Sequence, residues 1–574
     1  MEKYTDSDGN GGKLQTDLKP HQTSASNFFY NSLKTYNSGL CSDQMGLGKT
    51  LLALSIACKI KNGIGNILVI LPSAPKREWL QQIETHLVKS TVCVSNFEGK
   101  QSQREAILTH DIIYASKKNQ LLITLCSYGI MTTSIDFLNT KTWNLIIFDE
   151  CQYLKNEKTQ ISKAGMQIKS SCPRFGLSGT PCANSALKDL TGICKILYPT
   201  RILLHNPETF ENEPVFEKTH LGRNIDQIQE LSLPMKRIKQ IPLEFETKEE
   251  VHAYDSAIKK LQNAYYHMQS AQSGTDREQR RKIYEGALQQ TEGAATHPDL
   301  THVRLGKIEI ENARISTKEK SVFNILNHYM ERDRLKKRDT PIIINSRSTT
   351  VLAILHTHLK RQFPTINLFC YNGRLNPSQR IAVLNQWEAC PNGILLLSTK
   401  AGSTGMTLIH AHVMISIDAL SDPNWSILDQ VEARIYRIGQ KHKVSLYRLS
   451  MTGTVDEVIG GEIHQFKREA SKTILYQTTK QKSKTTKDIP SIYGKATNNW
   501  IKYIETLKEK KDIRLPQQYL QHDATPLKRH NIIEKRKMQR HHPYQSKSSQ
   551  KSSQTNVLRR PQFAEKDGKI IIVN

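Results

Sequence analysis

The chain has 574 residues, of which 37% are hydrophobic and 24% charged, and its formal net charge is +27. This length exceeds what one hydrophobic core supports, so roughly two to four domains are expected, and the positive charge indicates a polyanionic partner. No two of the ten cysteines have C-x-x-C spacing, which argues against a zinc site. No apolar run reaches the roughly 18 residues of a membrane span, so we expect no membrane partner.

The first ordered region opens at residues 18–22, which end in Gln22. The side-chain amide of a glutamine carries a donor and an acceptor, so Gln22 could recognise the edge of an adenine base. An ordinary surface glutamine fits the same residues equally well.

Residues 43–50 predict a phosphate-binding loop, and the apolar run 51–57 predicts the helix that follows it. The candidate nucleotide-binding residues are Asp43, Gln44, Met45, Gly46, Leu47, Gly48, Lys49 and Thr50. Lys49 can reach the terminal phosphates of a nucleotide, and the Thr50 hydroxyl can ligate Mg²⁺. The general pattern has glycine at position 43, where this chain has Asp43, so a chance turn remains an alternative until a second nucleotide motif is found.

That second motif follows the apolar run 143–148, which predicts a buried strand. Asp149 and Glu150 come directly after this strand, and Gln152 lies two residues further on. Two adjacent carboxylates at the carboxyl end of a strand suit one residue for a metal ion and one for an attacking water. Similar short apolar runs at 67–71, 121–125 and 175–177 predict a parallel sheet covered on both faces.

The character of the chain changes at residues 200–315, where polar helical stretches predominate and the series of predicted strands does not continue. A second series of buried strands is predicted at 341–346, 394–398 and 413–418. The glycine-rich turn 399–405, which ends in Gly405, could lie against phosphates or could be a simple tight turn. Further on, Arg434 and Arg437 are three residues apart and share one helical face, so they suit either phosphate binding or a surface salt-bridge network.

Taken together and in order, these motifs resemble the SWI/SNF-type, helicase-like ATPases of helicase superfamily two. The motifs that carry the resemblance are the Gln motif at 18–22, motif I at 43–50, motif Ia near 71–79, motif II at 149–152, motif III at 177–181, motif IV at 343–346, motif V at 398–408 and motif VI at 430–440. Gln44 replaces the glutamate usual in motif I, Gln152 stands where many members have histidine, and Ala433 stands where an acidic residue is common. The compact chain looks similar to stand-alone or viral members.

The resemblance implies an α/β fold with two tandem RecA-like parallel-sheet lobes, a helical insertion between them and a basic, largely disordered C-terminal tail. The expected divisions are a disordered N-terminus at 1–13, lobe one at 14–203, the connector at 204–315, lobe two at 316–470 and the tail at 471–574. ATP would lie between the lobes, with Lys49 and Thr50 on its phosphates and Asp149 organising Mg²⁺. Glu150 would orient or deprotonate the attacking water, with Gln152 beside it, and lobe two would supply Arg434 and Arg437.

The predicted tail holds 23 lysines and arginines against 8 aspartates and glutamates, which is +15 of the total charge of +27. It could be a nuclear-localisation or nucleic-acid-binding segment, or only a solvated basic tail. The favoured function is a nuclear, DNA-stimulated ATPase that translocates on duplex DNA and remodels nucleosomes or other protein–DNA complexes. A strand-separating helicase on DNA or RNA, and a DNA-bound transcriptional regulator with little turnover, are the alternatives.

Overall fold

The computed structural model describes residues 11–169, 171–182, 186–228, 233–271, 274–336, 339–402, 406–418, 425–457 and 459, and the backbone of 562–566 and 569–573. The chain divides into two compact units, Met1–Leu520 and Gln521–Asn574. The first unit contains two parallel α/β lobes. Among the helices that are described, none combines the length and apolar character that crossing a membrane requires.

Lobe one is built on a seven-stranded parallel sheet in the order β3-β4-β2-β5-β6-β1-β7. Its strands are β1 Ser38–Cys41, β2 Gly65–Leu71, β3 Val92–Phe97, β4 Leu121–Ser127, β5 Leu145–Asp149, β6 Arg174–Leu177 and β7 His220–Leu221. Its helices are α1 Pro20–Tyr36, α2 Lys49–Lys59, α3 Lys76–His86, α4 Gln101–Lys117, α5 Tyr128–Leu138, α6 Gln160–Met166, α7 Ala186–Leu197 and α8 Val215–Thr219.

The apolar runs of the central strands explain why helices cover both faces of this sheet. Successive side chains of a strand point to opposite faces. Leu145 and Ile147 of β5 therefore pack in one core, while Ile146 and Phe148 pack in the other. A strand that is apolar at every position needs a helical layer on each side, as the sequence predicted.

Lobe two is built on a six-stranded parallel sheet in the order β10-β11-β9-β12-β13-β8. Its strands are β8 Lys236–Leu243, β9 Ile342–Ser346, β10 Leu368–Tyr371, β11 Ile394–Ser398, β12 Val413–Ser416 and β13 Val444–Met451. The helices of this half are α9 Lys248–Gln269, α10 Gly274–Thr296, α11 Leu300–Arg304, α12 Thr317–Lys336, α13 Thr349–Gln362, α14 Pro377–Glu388, α15 Thr399–Gly402, α16 Trp425–Ile435 and α17 Val455–Glu457.

No series of buried strands continues through the described part of residues 200–315, but two separate strands lie there. The two-residue strand β7 pairs with β1 in lobe one, and the eight-residue strand β8 pairs with β13 in lobe two. Neither has the apolar pattern of a buried strand, because β7 is short and β8 lies at a sheet edge with mostly exposed or half-buried side chains. The helical part of the prediction is confirmed, since the helices α9 and α10, of 22 and 23 residues, follow β8.

Both predicted terminal segments contain residues that the structure describes. The main chain is already described from Gly11, and the Gly12 amide donates to the carbonyl of Gly63 over 2.7 Å. In the second unit the backbone forms a hairpin of β14 Gln562–Lys566 and β15 Lys569–Val573, which the sequence analysis did not predict. The remainder of the predicted tail, 471–561, lies outside the described residues.

Candidate active site

The predicted phosphate loop joins β1 to helix α2, which begins at Lys49 with Gly48 as its N-cap. Gly46 and Gly48 have φ angles of 90° and 81°, a region that L side chains rarely adopt. A side chain at Gly48 would also meet the Nε2 atom of Gln22 at 2.4 Å. The loop therefore has the tight, glycine-dependent turn and the helix N-terminus that favour a bound anion.

Lys49 lies at the first position of α2, and Thr50 follows it. The Lys49 Nζ donates to the carbonyl oxygen of Asp43 over 2.9 Å. The same ammonium would lie 3.4 Å from a Cβ placed on Gly179, so the turn after β6 closes over the loop. A second, longer bond runs from the Nζ to the Gln44 carbonyl over 3.5 Å, and a lysine ammonium held only by backbone carbonyls can donate to phosphate oxygens instead.

The side chains of Asp43 and Gln44 are engaged by residues far along the chain. The buried Asp43 carboxylate pairs with Arg223, and the Gln44 Oε1 accepts from the backbone amide of Ile225 over 2.9 Å. Gln22 is buried on α1, where its Oε1 accepts from the Lys19 amide over 3.1 Å and its Nε2 donates to the Leu47 carbonyl over 3.4 Å. Through the bonds of these three side chains, segments outside the loop hold the loop in its conformation.

Asp149 and Glu150 lie at the carboxyl end of β5. The Asp149 Oδ2 accepts from the indole Nε1 of Trp79 over 2.7 Å, and its Oδ1 accepts from the Glu150 amide over 3.0 Å. Trp79 falls in the predicted motif Ia, but sequence reasoning assigned it no role. Burial, together with the neighbouring Glu150 carboxylate, raises the pKa of Asp149 to about 7, and Lys49 partly opposes that rise.

A chain of hydrogen bonds connects this acidic pair to the turn after β6 and then to lobe two. Gln152 donates from Nε2 to Glu150 Oε2 over 2.7 Å, and Ser178 donates to the Gln152 Oε1 over 2.6 Å. Two residues after Ser178, Thr180 donates from its backbone amide to the Ser178 Oγ over 3.0 Å and accepts at Oγ1 from the Nε2 of Gln430 over 3.2 Å. Because Gln430 belongs to α16, this contact crosses from one lobe to the other.

The predicted arginines of lobe two lie in the last turn of α16 and two residues after it, and the second of them, Arg437, is beside the phosphate loop. Arg437 donates to Thr407 Oγ1 over 2.9 Å, lies 3.8 Å from the Glu78 carboxylate of lobe one, and has a pKa lowered by burial. Its backbone and Cβ stand against Gly46. Arg434 lies in the last turn of α16, where its carbonyl accepts from the Leu408 amide over 3.0 Å. The predicted Gly405 lies outside the described residues.

The residues present fit Mg²⁺ and a nucleotide triphosphate. A carboxylate whose pKa is raised by burial and by an adjacent carboxylate is stabilised by a divalent cation, and the Asp149 carboxylate and the Thr50 hydroxyl are oxygen ligands of the kind that Mg²⁺ prefers. The glycine cradle, the N-terminus of α2 and the Lys49 ammonium supply the complementary site for phosphate.

Comparison with known protein families agrees with this geometry. The family signature described as the SNF2-related domain matches residues 21–300, and that of the helicase conserved C-terminal domain matches residues 321–439. The first match begins within the predicted Gln motif, and the second ends at Gly439, one residue before the predicted end of motif VI.

Individual relatives are distant in sequence and much longer. The chain is 26% identical over 517 residues to chromodomain-helicase-DNA-binding protein 1 of Gallus gallus, covering 83% of this chain and 27% of the relative. It is 28% identical over 479 residues to the probable ATP-dependent DNA helicase CHR12 of Arabidopsis thaliana, covering 77% and 40%. A solved SWI2/SNF2 ATPase core from Sulfolobus solfataricus, in complex with dsDNA, aligns at 20% identity over 81% of this chain and 98% of that chain, with a TM-score of 0.36. The chain thus spans less than half the length of these two curated relatives.

Proposed function

Because the chain belongs to the SWI/SNF-type, helicase-like ATPases of helicase superfamily two, we propose that it hydrolyses ATP on duplex DNA and translocates along it. The proposed consequence is the remodelling of protein–DNA complexes, nucleosomes among them, in the nucleus. The net charge of +27 supports a polyanionic partner of this kind.

One observation carries the proposal, namely that motif VI of lobe two lies directly on the phosphate loop of lobe one. Arg437 packs on Gly46, and Gln430 donates to Thr180. An arginine supplied by the opposite lobe reaches the phosphates only when the lobes are closed. Hydrolysis is therefore tied to the relative position of the lobes, which is the property a translocating motor needs.

The residues of the chain have distinct proposed roles in the reaction. Lys49 and the amides of the loop hold the phosphates, and Thr50 with Asp149 would hold Mg²⁺, which neutralises charge on the phosphate oxygens when bound. Glu150, oriented by its hydrogen bond from Gln152, positions the attacking water and accepts its proton. Arg434 and Arg437 stabilise the charge that develops on the transferred phosphoryl group.

The proposal is tested by steady-state ATP hydrolysis of the full chain without nucleic acid and with duplex DNA, single-stranded DNA or duplex RNA. The Lys49→Ala variant, prepared in parallel, measures contaminating activity. We expect duplex DNA to stimulate hydrolysis most, and the full chain to displace a triplex-forming strand from duplex DNA in an ATP-dependent way.

Each contrary result identifies a different function. Separation of a plain duplex at a rate matching hydrolysis would make the protein a strand-separating helicase. Duplex binding with turnover no faster than that of Lys49→Ala would make it a DNA-bound regulator. Equal stimulation by duplex RNA and duplex DNA would remove DNA as the specific partner.

A further inference from the structure

We propose that Arg223, a residue outside the predicted motifs, is a positioning residue that preorganises the phosphate loop for ATP. Arg223 belongs to residues 220–228, which we call the strap because they run beside the loop. The inference deepens the proposed function and rests on it, since it concerns the affinity of the same nucleotide site.

The side chain of Arg223 makes a bidentate pair with Asp43. Its Nε donates to Oδ1 over 3.0 Å and its Nη2 to Oδ2 over 2.5 Å. Asp43 is only 1% exposed, and a buried carboxylate is stable only when charged donors compensate its lost hydration. The planar guanidinium fork fixes both the position and the orientation of the carboxylate.

The remaining terminal nitrogen of the Arg223 guanidinium binds a different segment of the nucleotide site. The Arg223 Nη1 donates to the carbonyl oxygen of His21 over 2.7 Å. His21 immediately precedes Gln22, the residue predicted to recognise adenine, at the start of α1. One side chain therefore holds together the start of α1 and the start of the phosphate loop, two segments separated by about twenty residues of sequence.

The backbone of the strap reinforces this arrangement. The Ser42 amide donates to the Leu221 carbonyl over 2.8 Å, and the Gln44 amide donates to the Arg223 carbonyl over 2.9 Å. The Ile225 amide donates in turn to the Gln44 side chain. The strap therefore continues the pairing of β7 with β1 beyond the end of β1 and lies beside the first residues of the phosphate loop.

The far end of the strap connects the loop to lobe two. Ile225 and Ile228 pack with Leu47 of the loop in a small apolar cluster, and Tyr436 packs against the same cluster. Tyr436 lies directly before Arg437. The strap is therefore in contact with the phosphate loop along its length and with the arginine segment at its end.

This geometry determines what loss of Arg223 would change. The Asp43 carbonyl is the oxygen that holds the Lys49 ammonium, so a displaced Asp43 also displaces the lysine. Loop contacts to phosphate exist in the ground state as well as in the transition state, so losing their preorganisation weakens ATP binding and raises KM more than it lowers kcat. A pair that only stabilised lobe one would lower the thermal midpoint and leave ATP affinity unchanged.

The test compares full-length wild type with Arg223→Ala, Arg223→Lys, Asp43→Asn and the double variant Arg223→Ala/Asp43→Asn. Lys218→Ala is the matched control, because Lys218 is exposed on α8, just before the strap, and carries the same charge. Three quantities are measured: the equilibrium affinity for a fluorescent ATP analogue with Mg²⁺, kcat and KM with saturating duplex DNA, and amide hydrogen exchange of residues 40–50 in the nucleotide-free protein.

We expect Arg223→Ala to weaken nucleotide binding about tenfold or more, as loss of a charged hydrogen-bond set does, with kcat changed by less than about threefold. Arg223→Lys should recover only part of the affinity, because it keeps the charge but loses the fork. Asp43→Asn should act in the same direction, and the double variant should be no weaker than the worse single variant within about twofold, because the residues act as a unit. Exchange of residues 40–50 should quicken in Arg223→Ala and not in Lys218→Ala.

The inference is overturned if Arg223→Ala binds the analogue as tightly as Lys218→Ala, or if the two single effects add. It is also overturned if Arg223→Ala loses thermal stability without a change in affinity or exchange. Should Arg223→Ala not fold, Asp43→Asn and Arg223→Lys decide by the same criteria. Failure of the proposed function is distinguishable, because wild type would then lack duplex-stimulated turnover while the hydrogen-exchange comparison would still report on Arg223.

Discussion

Gly46 and Arg437 are in contact across the two lobes, so close together that a side chain on Gly46 would have to displace the arginine segment. A Cβ placed on Gly46 would lie 3.0 Å from the Cβ of Arg437, closer than nine in ten real contacts of this kind. The glycine therefore does two things. It permits the φ angle of 90° that turns the loop, and it lets the arginine segment approach the phosphates.

We predict that Gly46→Ala lowers duplex-stimulated ATP hydrolysis by at least about tenfold, because the added methyl group strains the loop and holds the lobes apart. Steady-state turnover at saturating ATP and DNA measures the effect. Gly99→Ala is the control, since Gly99 also has a φ angle of 90° and has no atom within 4 Å of its added Cβ. Equal activities of the two variants would mean that the contact with Arg437 is not needed for turnover.

Glu150→Gln is expected to bind ATP and to hydrolyse it roughly 10²–10⁴ times more slowly, because an amide cannot accept a proton from the attacking water. The glutamine keeps an oxygen that can accept the bond from Gln152, so the local structure should persist. Nucleotide retained after rapid desalting and single-turnover hydrolysis are the measurements. Glu157→Gln, which alters a partly exposed carboxylate paired with Lys195, is the control. Near-normal turnover in Glu150→Gln would mean that another residue accepts the proton of the attacking water.

Arg437→Ala should bind ATP and DNA nearly normally. Its rate of DNA-stimulated hydrolysis should fall by a factor of about 10³–10⁵, as it does when an arginine finger is removed. The benefit of this arginine is expected mainly in the transition state, so kcat should fall while ATP affinity changes little. Arg437→Lys should rescue poorly because it lacks the planar fork. If Arg437→Ala stays within a few-fold of wild type, Arg434 becomes the candidate finger.

A buried pair in lobe two predicts a defined pH dependence of stability. The Nδ1 of His358 lies 3.0 Å from Glu319 Oε1, and its Nε2 lies 3.0 Å from the Ala313 carbonyl oxygen. Both partners are acceptors, so both ring nitrogens carry protons and the imidazole is charged. The hydrogen bond to Glu319 raises the pKa of His358. Burial would raise the pKa of Glu319, but bonds from His297 and His358 outweigh it and hold that pKa at about 2.

The two shifts define the pH window. The contribution of His358 is complete below its unfolded pKa of about 6.5 and is lost as pH rises through its higher folded pKa. The contribution of Glu319 is present above its unfolded pKa of about 4.5 and is lost as pH falls toward its folded value. We expect Glu319→Gln to lower the thermal midpoint most between about pH 4.5 and 6.5, and less at pH 9. Glu246→Gln, in the exposed pair with Lys320, is the control. A pH-independent difference would contradict the charged pair.

Removal of residues 471–574 should weaken duplex DNA binding and flatten its salt dependence while basal ATP hydrolysis remains. This segment carries +15, and each phosphate neutralised contributes about −0.9 to the slope of log affinity against log salt. Binding isotherms at several salt concentrations give that slope for the full and the shortened chain. Identical slopes would exclude a DNA-binding tail and favour a role in localisation or partner binding.

Much of the architecture follows from local patterns, which the sequence alone determined. Apolar runs such as 67–71 and 145–148 predict strands buried on both faces, because an apolar residue at every position indicates that the side chains on both sides of the strand are buried. The glycines and the lysine of residues 43–50 predict a loop-to-helix turn, because backbone freedom and charge at a helix N-terminus are local properties. The order of these motifs was enough to indicate the family and the two parallel-sheet lobes.

Only the tertiary structure decided which distant residues meet at the site. Arg223 reaches Asp43 across 180 positions, and no spacing rule predicts such a pair. The edge strand β8 escaped prediction because an edge with an exposed side needs no apolar pattern. The contact of Arg437 with Gly46 depends on how two separately folded lobes pack. A sequence pattern reflects interactions between residues that are close together in the chain, whereas these contacts are determined by the folding of the whole chain.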